Sequence, residues 1–460
     1  MSRSRSLSVR SALAPTVVLA VLLPVLTVGA ALLADGQVDD GRGARSPATA
    51  DLESTTLVCP TARTDGRILV ATDGDQPGAV SVGRVDDSDD LQVAPDEIAE
   101  TDADGARLVR ADGALAPGLV AGRSAGPRLS AYDCPVTSSD QWFTGVGAGA
   151  THTSVLELTN PDTGPAVASV TVYSQSGPVS TPRLRGIAVA GGSTVRLDLA
   201  TVVPRREELA LHVTSDRGRV AAAVLDTYDE LGRPEPTTEF LPAQADPSSS
   251  NVLLGVPTGP GKRTLVLANG GPDVVRVDLE LVTEQSVFAP AGVRELAVDP
   301  GSVKVLALQK LLSSKPADGA IGLALTSSAP ITATLRSFAD GDLVQTVAGA
   351  RVAGETLLAL PEGDKRLLVA GARGIGVVSV VGFTADGEEV SRRRVEIGPD
   401  RGVSLRLSSR AQLVRVVPER TSVVASVIVT ATGRSGGAAV VPLRELVRQG
   451  LVPDVRPGLS

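Results

Sequence analysis

Apolar and polar residues alternate over short runs through most of the chain beyond residue 55. In the segment from Gly192 to Leu199, Val195, Leu197 and Leu199 fall on one face, while Thr194, Arg196 and Asp198 fall on the other. That period of two, with one apolar face, predicts half-buried β-strands. One compound stretch is used three times, at Leu209–Tyr228, Leu323–Phe338 and Val414–Gly433. Each copy joins two apolar runs through a polar turn containing Thr-Ser, and this pattern predicts a β-hairpin. Neighbouring runs repeat as well. Leu158, Leu267 and Val369 match in an early strand, and Val220, Ile331 and Val424 in a late one. The spacing of about 100–110 residues is the size of one seven-stranded sandwich.

The pattern divides the chain into three β-sandwich repeats at residues 145–246, 247–350 and 351–460, preceded by a less regular β-rich region at 55–144. Gly (48) and Pro (31) interrupt the runs often enough to leave no long helical pattern. Short helical turns are expected only at Leu308–Ser313 and Leu443–Gln449. One compact core cannot serve 460 residues, and packing sheets face to face hides their apolar sides. The expected fold is therefore all-β, with tandem immunoglobulin-like β-sandwiches following an N-terminal transmembrane or signal helix.

Arg3, Arg5 and Arg10 precede an uncharged stretch from Ser11 to Ala34. It is long enough to cross a bilayer core of roughly 30 Å, and the arginines place the N-terminus in the cytoplasm. An uncleaved anchor and a cleaved signal peptide both fit residues 1–34. Either one puts the body outside the cytoplasm, with the membrane as a partner through residues 11–34. Residues 35–54 read as a flexible tether. In an oxidising compartment the only cysteines, Cys59 and Cys134, are expected to form a disulfide. Closing a loop of about 75 residues would stabilise that region by roughly 4 kcal/mol. The net charge of −8, without a basic stripe, argues against nucleic-acid binding.

Candidate chemistry is sparse. His212 alternates with Leu211 and Val213 and reads as solvent-facing, while His152 reads as part of a loop with no second metal ligand nearby. Nine acids lie between Asp86 and Asp104, and Glu100–Gly105 resembles the start of a calcium loop. Ala111 stands where its closing glutamate belongs, so a solvated acidic loop is the plainer reading. Gly145–Gly149 and Gly259–Thr264 depart from nucleotide-binding fingerprints and read as turns. No serine stands in a strand-to-helix nucleophile elbow, although Gly122–Gly126 and Gly433–Gly437 match the bare G-x-S-x-G letters. Trp142 and Phe143, the only adjacent aromatic pair, suit a core cap at a junction or an interaction hot spot. No catalytic, metal or cofactor residues are assigned.

The order of these features resembles an uncharacterised actinobacterial secreted or membrane-anchored family, domain of unknown function family 5719. The residues carrying the resemblance are the N-terminal anchor, LVCP at Cys59, the stretch from Cys134 to Phe143, LELTNP ending at Asn160-Pro161, and HVTSDRGRVAAAVLD from His212. The resemblance implies a secreted or membrane-anchored protein and supplies no catalytic residues. The expected function is a non-catalytic extracytoplasmic scaffold or binding protein with an unknown envelope protein or glycan partner. The alternatives are a polysaccharide-binding accessory and a cryptic hydrolase.

Overall fold

The computed structural model describes residues 26–27, 48–229, 235–257, 260–293, 295–432 and 436–452. Residues 51–449 form one compact unit. A second unit, drawn from residues 1–50 and 450–460, carries most of a two-stranded sheet pairing Ala48–Asp51 with Gln449–Val452. Among the described residues no helix is long and apolar enough to cross a membrane. Apart from Leu26 and Thr27, the stretch 11–34 lies outside the described residues, as do residues 35–47 of the tether expected at 35–54, whose described part contains the strand Ala48–Asp51.

The large unit is nearly all β and repeats one eight-strand plan four times. The last copy runs through Thr356–Ala359, Asp364–Ala370, Gly376–Phe383, Glu389–Ile397, Val403–Arg406, Leu413–Glu419, Val423–Thr430 and Ala438–Pro442. One sheet has the order first-sixth-third-fourth, and the facing sheet fifth-second-seventh-eighth. The same two orders occur in Ser54–Cys59, Arg67–Thr72, Gly78–Gly83, Ser88–Val93, Ala99–Asp102, Arg107–Asp112, Leu119–Ala125 and Ser130–Asp133. The β-rich region without an evident sequence repeat is thus a first copy of the plan.

The second copy begins with Asp140–Ala148 and ends with Thr237–Leu241, and the third begins with Ser248–Leu254 and ends with Asp342–Val347. Both keep the same pairings, with the fourth strand broken into two short pieces. Each copy has its own apolar cluster between its sheets.

The expected hairpins do not form. Arg206–Arg217 pairs with Asp140–Ala148 and Ala166–Ser174, whereas Ala221–Tyr228 pairs with His152–Thr159 and Thr237–Leu241. The two runs therefore enter opposite sheets. In the third copy they fuse into one strand, Gly322–Ala339, that passes from one sheet to the other. The cause is burial: a crossing aims both runs at one core, so Leu209, Leu211 and Val213 meet Val220, Ala222 and Val224 in a single cluster. A hairpin would keep both runs in one sheet, leaving the opposite sheet without a partner strand.

Other expectations also change. Gly145–Ala148 belongs to the strand Asp140–Ala148, and Gly261–Thr264 opens the strand Gly261–Asn269, so neither motif is a simple turn. A helix does form at Gln309–Leu312. No helix forms over Leu443–Gln449, where Arg444 and Arg448 reach Asp133 and Glu355. The Cys59–Cys134 disulfide is present. It joins the end of the first strand to the residue after the eighth, linking both sheets of the first copy. Beside it the fully buried Arg123 donates to the carbonyls of Pro60 (2.6 Å), Ala103 (2.5 Å), Asp104 (3.1 Å) and Gly105 (2.6 Å).

The copies pack head to tail. The first-sixth-third-fourth sheet of one copy covers the fifth-two-seven-eight sheet of the next. Val58 and Leu108 meet Ala221. Trp142, Tyr173 and Ala210 meet Val266, Ala268 and Val303. Val252, Leu254 and Ile321 meet Leu368, Ala370 and Val424. Finally Leu357, Val381, Phe383 and Leu413 of the fourth copy cover Ala71 and Val120 of the first. The eighth strands touch in the same cyclic order. Within this unit the fourth copy closes on the first.

Candidate functional site

The polar residues that chemistry would need gather in the seams. His152 and Ser154 share the inward face of a strand with Leu156 and Leu158, and all four are buried. Asp226 stands on the inward face of the neighbouring strand, after Ala222 and Val224, and is directly opposite Ser154. Its carboxylate accepts from His152 Nε2 (2.8 Å), Ser154 Oγ (2.5 Å) and Gln345 Nε2 (2.5 Å).

Arg336 of the third copy donates from Nη1 to His152 Nδ1 at 2.6 Å. A guanidinium can only donate, so in this contact Nδ1 accepts; the Glu207 carbonyl lies 3.2 Å from the same nitrogen. Arg336 also makes a two-pronged pair with Glu208, at 2.8 and 2.5 Å. Gly147 leaves room for the ring, because a Cβ there would lie 2.5 Å from His152 Cγ.

This cluster brings together Ser, His and Asp but does not arrange them as a nucleophilic triad. The serine hydroxyl donates to the aspartate, whereas a triad needs it on the imidazole, and Arg336 occupies the other imidazole nitrogen. His152 is 3% exposed and Ser154 is fully buried. The His152 placement corrects the loop expected from sequence. Among the described residues no group of three His, Cys, Asp or Glu is arranged to hold a metal.

Trp142 and Phe143 are both buried. Phe143 lies in the core of the second copy, while Trp142 fills the seam against the third, with its ring nearly parallel to those of Tyr173 (5.6 Å) and His212 (4.2 Å). A Cβ at Gly270 would lie 2.5 Å from the indole. Both side chains are thus covered within this unit. His212 is half-buried, with Nε2 2.7 Å from Asp140, which corrects its reading as a solvent-facing residue.

The closing seam uses another arrangement. Arg415 lies 2.9 Å from Asp96, 3.2 Å from Asp73 and 3.3 Å from Glu355. Arg448 reaches Glu355 at 2.8 Å and also binds Asp73. Arg444 binds Asp133. The acidic stretch is therefore partly structural: Ala99–Asp102 is a strand, Glu100 and Asp102 flank Arg67, and the Ile98 amide donates to the Ala385 carbonyl.

Three carboxyls on the eighth strands are displaced upward, Asp133 among them through burial. Burial raises Asp342 to about 6, and burial followed by proximity to Asp342 raises Glu239 well above the ordinary glutamate value.

Sequence reading had not assigned Glu208, Asp226, Arg336 or Gln345. Asp226 had a readable signal, a charge in phase with Val220, Ala222 and Val224. Arg336 and Glu208 sit in the outward phase, where charge is ordinary.

No curated protein matches the chain. The profile of one family matches residues 93–408, from the fourth strand of the first copy into the fourth copy. The chain belongs to the family of unknown function DUF5719.

Proposed function

We propose that the chain is a non-catalytic, extracytoplasmic scaffold or binding protein of the cell envelope. In this reading it consists of immunoglobulin-like β-sandwiches held at the membrane through residues 11–34. The observation that carries it is the enclosure of His152, Ser154, Asp226 and Arg336 within the second seam. The groups best suited to catalysis are spent on holding two copies together. The Cys59–Cys134 disulfide fits an oxidising compartment.

Two experiments test the reading. A C-terminal alkaline phosphatase fusion should be active in intact cells, and an inactive fusion would place the body inside. The purified chain should leave broad ester, peptide and glycoside panels untouched. Turnover abolished by Asp226→Asn in a folded variant would restore the hydrolase alternative. The polysaccharide-binding alternative rests on a charged crevice between the third and fourth copies.

A further inference from the structure

The third and fourth copies leave a crevice of about 370 Å³ between them. It continues into a second hollow of about 830 Å³ through the shared residues Val256, Pro257, Arg366 and Ile428. The first hollow falls within the size range of small-ligand sites. Its lining includes Arg128, Lys365, Arg366 and Arg406 together with Asp340, Asp342 and Asp364. Lys310 and Lys315 stand along the second hollow. Cationic side chains outnumber carboxylates here, in a chain whose net charge is −8.

Comparison of the four copies isolates what is unusual. Arg366 and Arg406 lie directly opposite each other on the second and fifth strands. The corresponding rung is Arg67 opposite Asp102 in the first copy, 3.5 Å apart as an ion pair. It is Val155 opposite Asp198 in the second copy and Thr264 opposite Ala307 in the third. Only the fourth copy places like charges face to face, an arrangement that destabilises a sheet. Neither arginine makes an ion pair among the described residues.

Lys365 is 2% exposed and is held by the carbonyls of Gly363 (3.0 Å) and Ser409 (3.3 Å). Burial lowers its ammonium to about 8. An anion in the crevice would favour the charged form.

We propose that this crevice binds an acidic glycan, with Arg366 and Arg406 gripping a carboxylate or phosphate on the sugar while Asp340 and Asp364 accept from its hydroxyls. The inference rests on the binding-protein reading and names its ligand class. Guanidinium groups match oxyanions in two-pronged geometry. Neighbouring carboxylates would repel a simple polyanion but suit a ligand rich in hydroxyl donors. The crevice lining contains no aromatic residue, so affinity should come from charge and fall with salt.

The test is calorimetric titration of the full chain with an oligogalacturonate, its neutral galacto-oligosaccharide counterpart and inorganic phosphate. The acidic oligosaccharide should bind at least tenfold more tightly than the neutral one. The double variant Arg366→Gln/Arg406→Gln should weaken that binding at least tenfold while leaving Tm unchanged or higher, since a repulsive rung is removed. If the double variant does not fold, Lys310→Gln/Lys315→Gln, both on exposed residues, should weaken binding severalfold. Equal binding of the neutral sugar, binding of phosphate alone, or indifference to the folded variants overturns the proposal. Such a failure leaves the scaffold reading intact, because that reading fails instead on turnover or a cytoplasmic location.

Discussion

The seam between the second and third copies and the seam that closes the fourth copy on the first do the same mechanical job with different chemistry. The former buries Arg336, Glu208, His152 and Asp226 beside a stacked Trp142. The latter relies on Leu357, Phe383 and Leu413, with Arg415 and Arg448 spread over Asp73, Asp96 and Glu355 at its rim. Arg448 is 42% exposed there, against 9% for Arg336. Each seam needs one bare glycine for close approach: Gly270 against Trp142, and Gly122 against the Ala359 carbonyl. A buried pair is costly to break because the remaining charge is stranded. A solvent-reaching pair contributes little and is screened by salt. The second seam should therefore be intolerant of substitution, and the rim of the closing seam tolerant.

The sharpest break in that comparison is Arg336→Met, which leaves Glu208 buried without its cation. Denaturant melts should show a loss of about 4 kcal/mol, partly restored by adding Glu208→Gln. A loss no larger than that of a surface substitution would contradict the buried-pair assignment.

The next effect depends on pH. The folded Asp342 carboxyl titrates near 6 because of burial, above its unfolded value near 4. The folded state therefore holds the proton more tightly, and this contribution is full below about pH 4, declining as pH rises through 6. Asp342→Asn should match wild type at pH 4 and exceed it at pH 7 by about 3 kcal/mol at most, read as a difference in Tm. A gap that shrinks as pH rises would reverse the sign of the argument.

At the closing seam, Gly122→Ala would place a methyl group 2.2 Å from the Ala359 oxygen. It should cost about 2 kcal/mol through overpacking, detected as a lower midpoint at unchanged disulfide content. Smallest of all, Arg448→Ala should cost about 0.5 kcal/mol in low salt and less in high salt. A loss comparable to that of Arg336→Met would remove the distinction between the seams.

The strands and the disulfide were legible in the sequence because period-two alternation and two cysteines in an oxidising setting leave few choices. The crossings were not. A polar turn between two alternating runs reads alike whether the runs pair with each other or enter opposite sheets. The first copy was missed because its sixth and seventh strands are joined through the turn Gly113–Leu115 without the Thr-Ser signature. The seams did leave a trace. Leu69-Val70-Ala71, Leu265-Val266-Leu267-Ala268 and Leu367-Leu368-Val369-Ala370 are apolar on both faces and buried on both. A second strand covered on each side needs a neighbour outside its own sandwich. What no alternation could show was which copy supplies it, since the closing contact joins residues such as Asp96 and Arg415 that lie at opposite ends of the chain.

That closure is the central claim, and the Ile98 amide reports it directly, because it donates to the Ala385 carbonyl across the closing seam at 2.9 Å. Native-state hydrogen exchange at Ile98 should show protection comparable to that of core strand amides, with a marked loss in Gly122→Ala. Exchange at the rate of an exposed loop amide in the wild-type chain would show that the fourth copy does not close on the first.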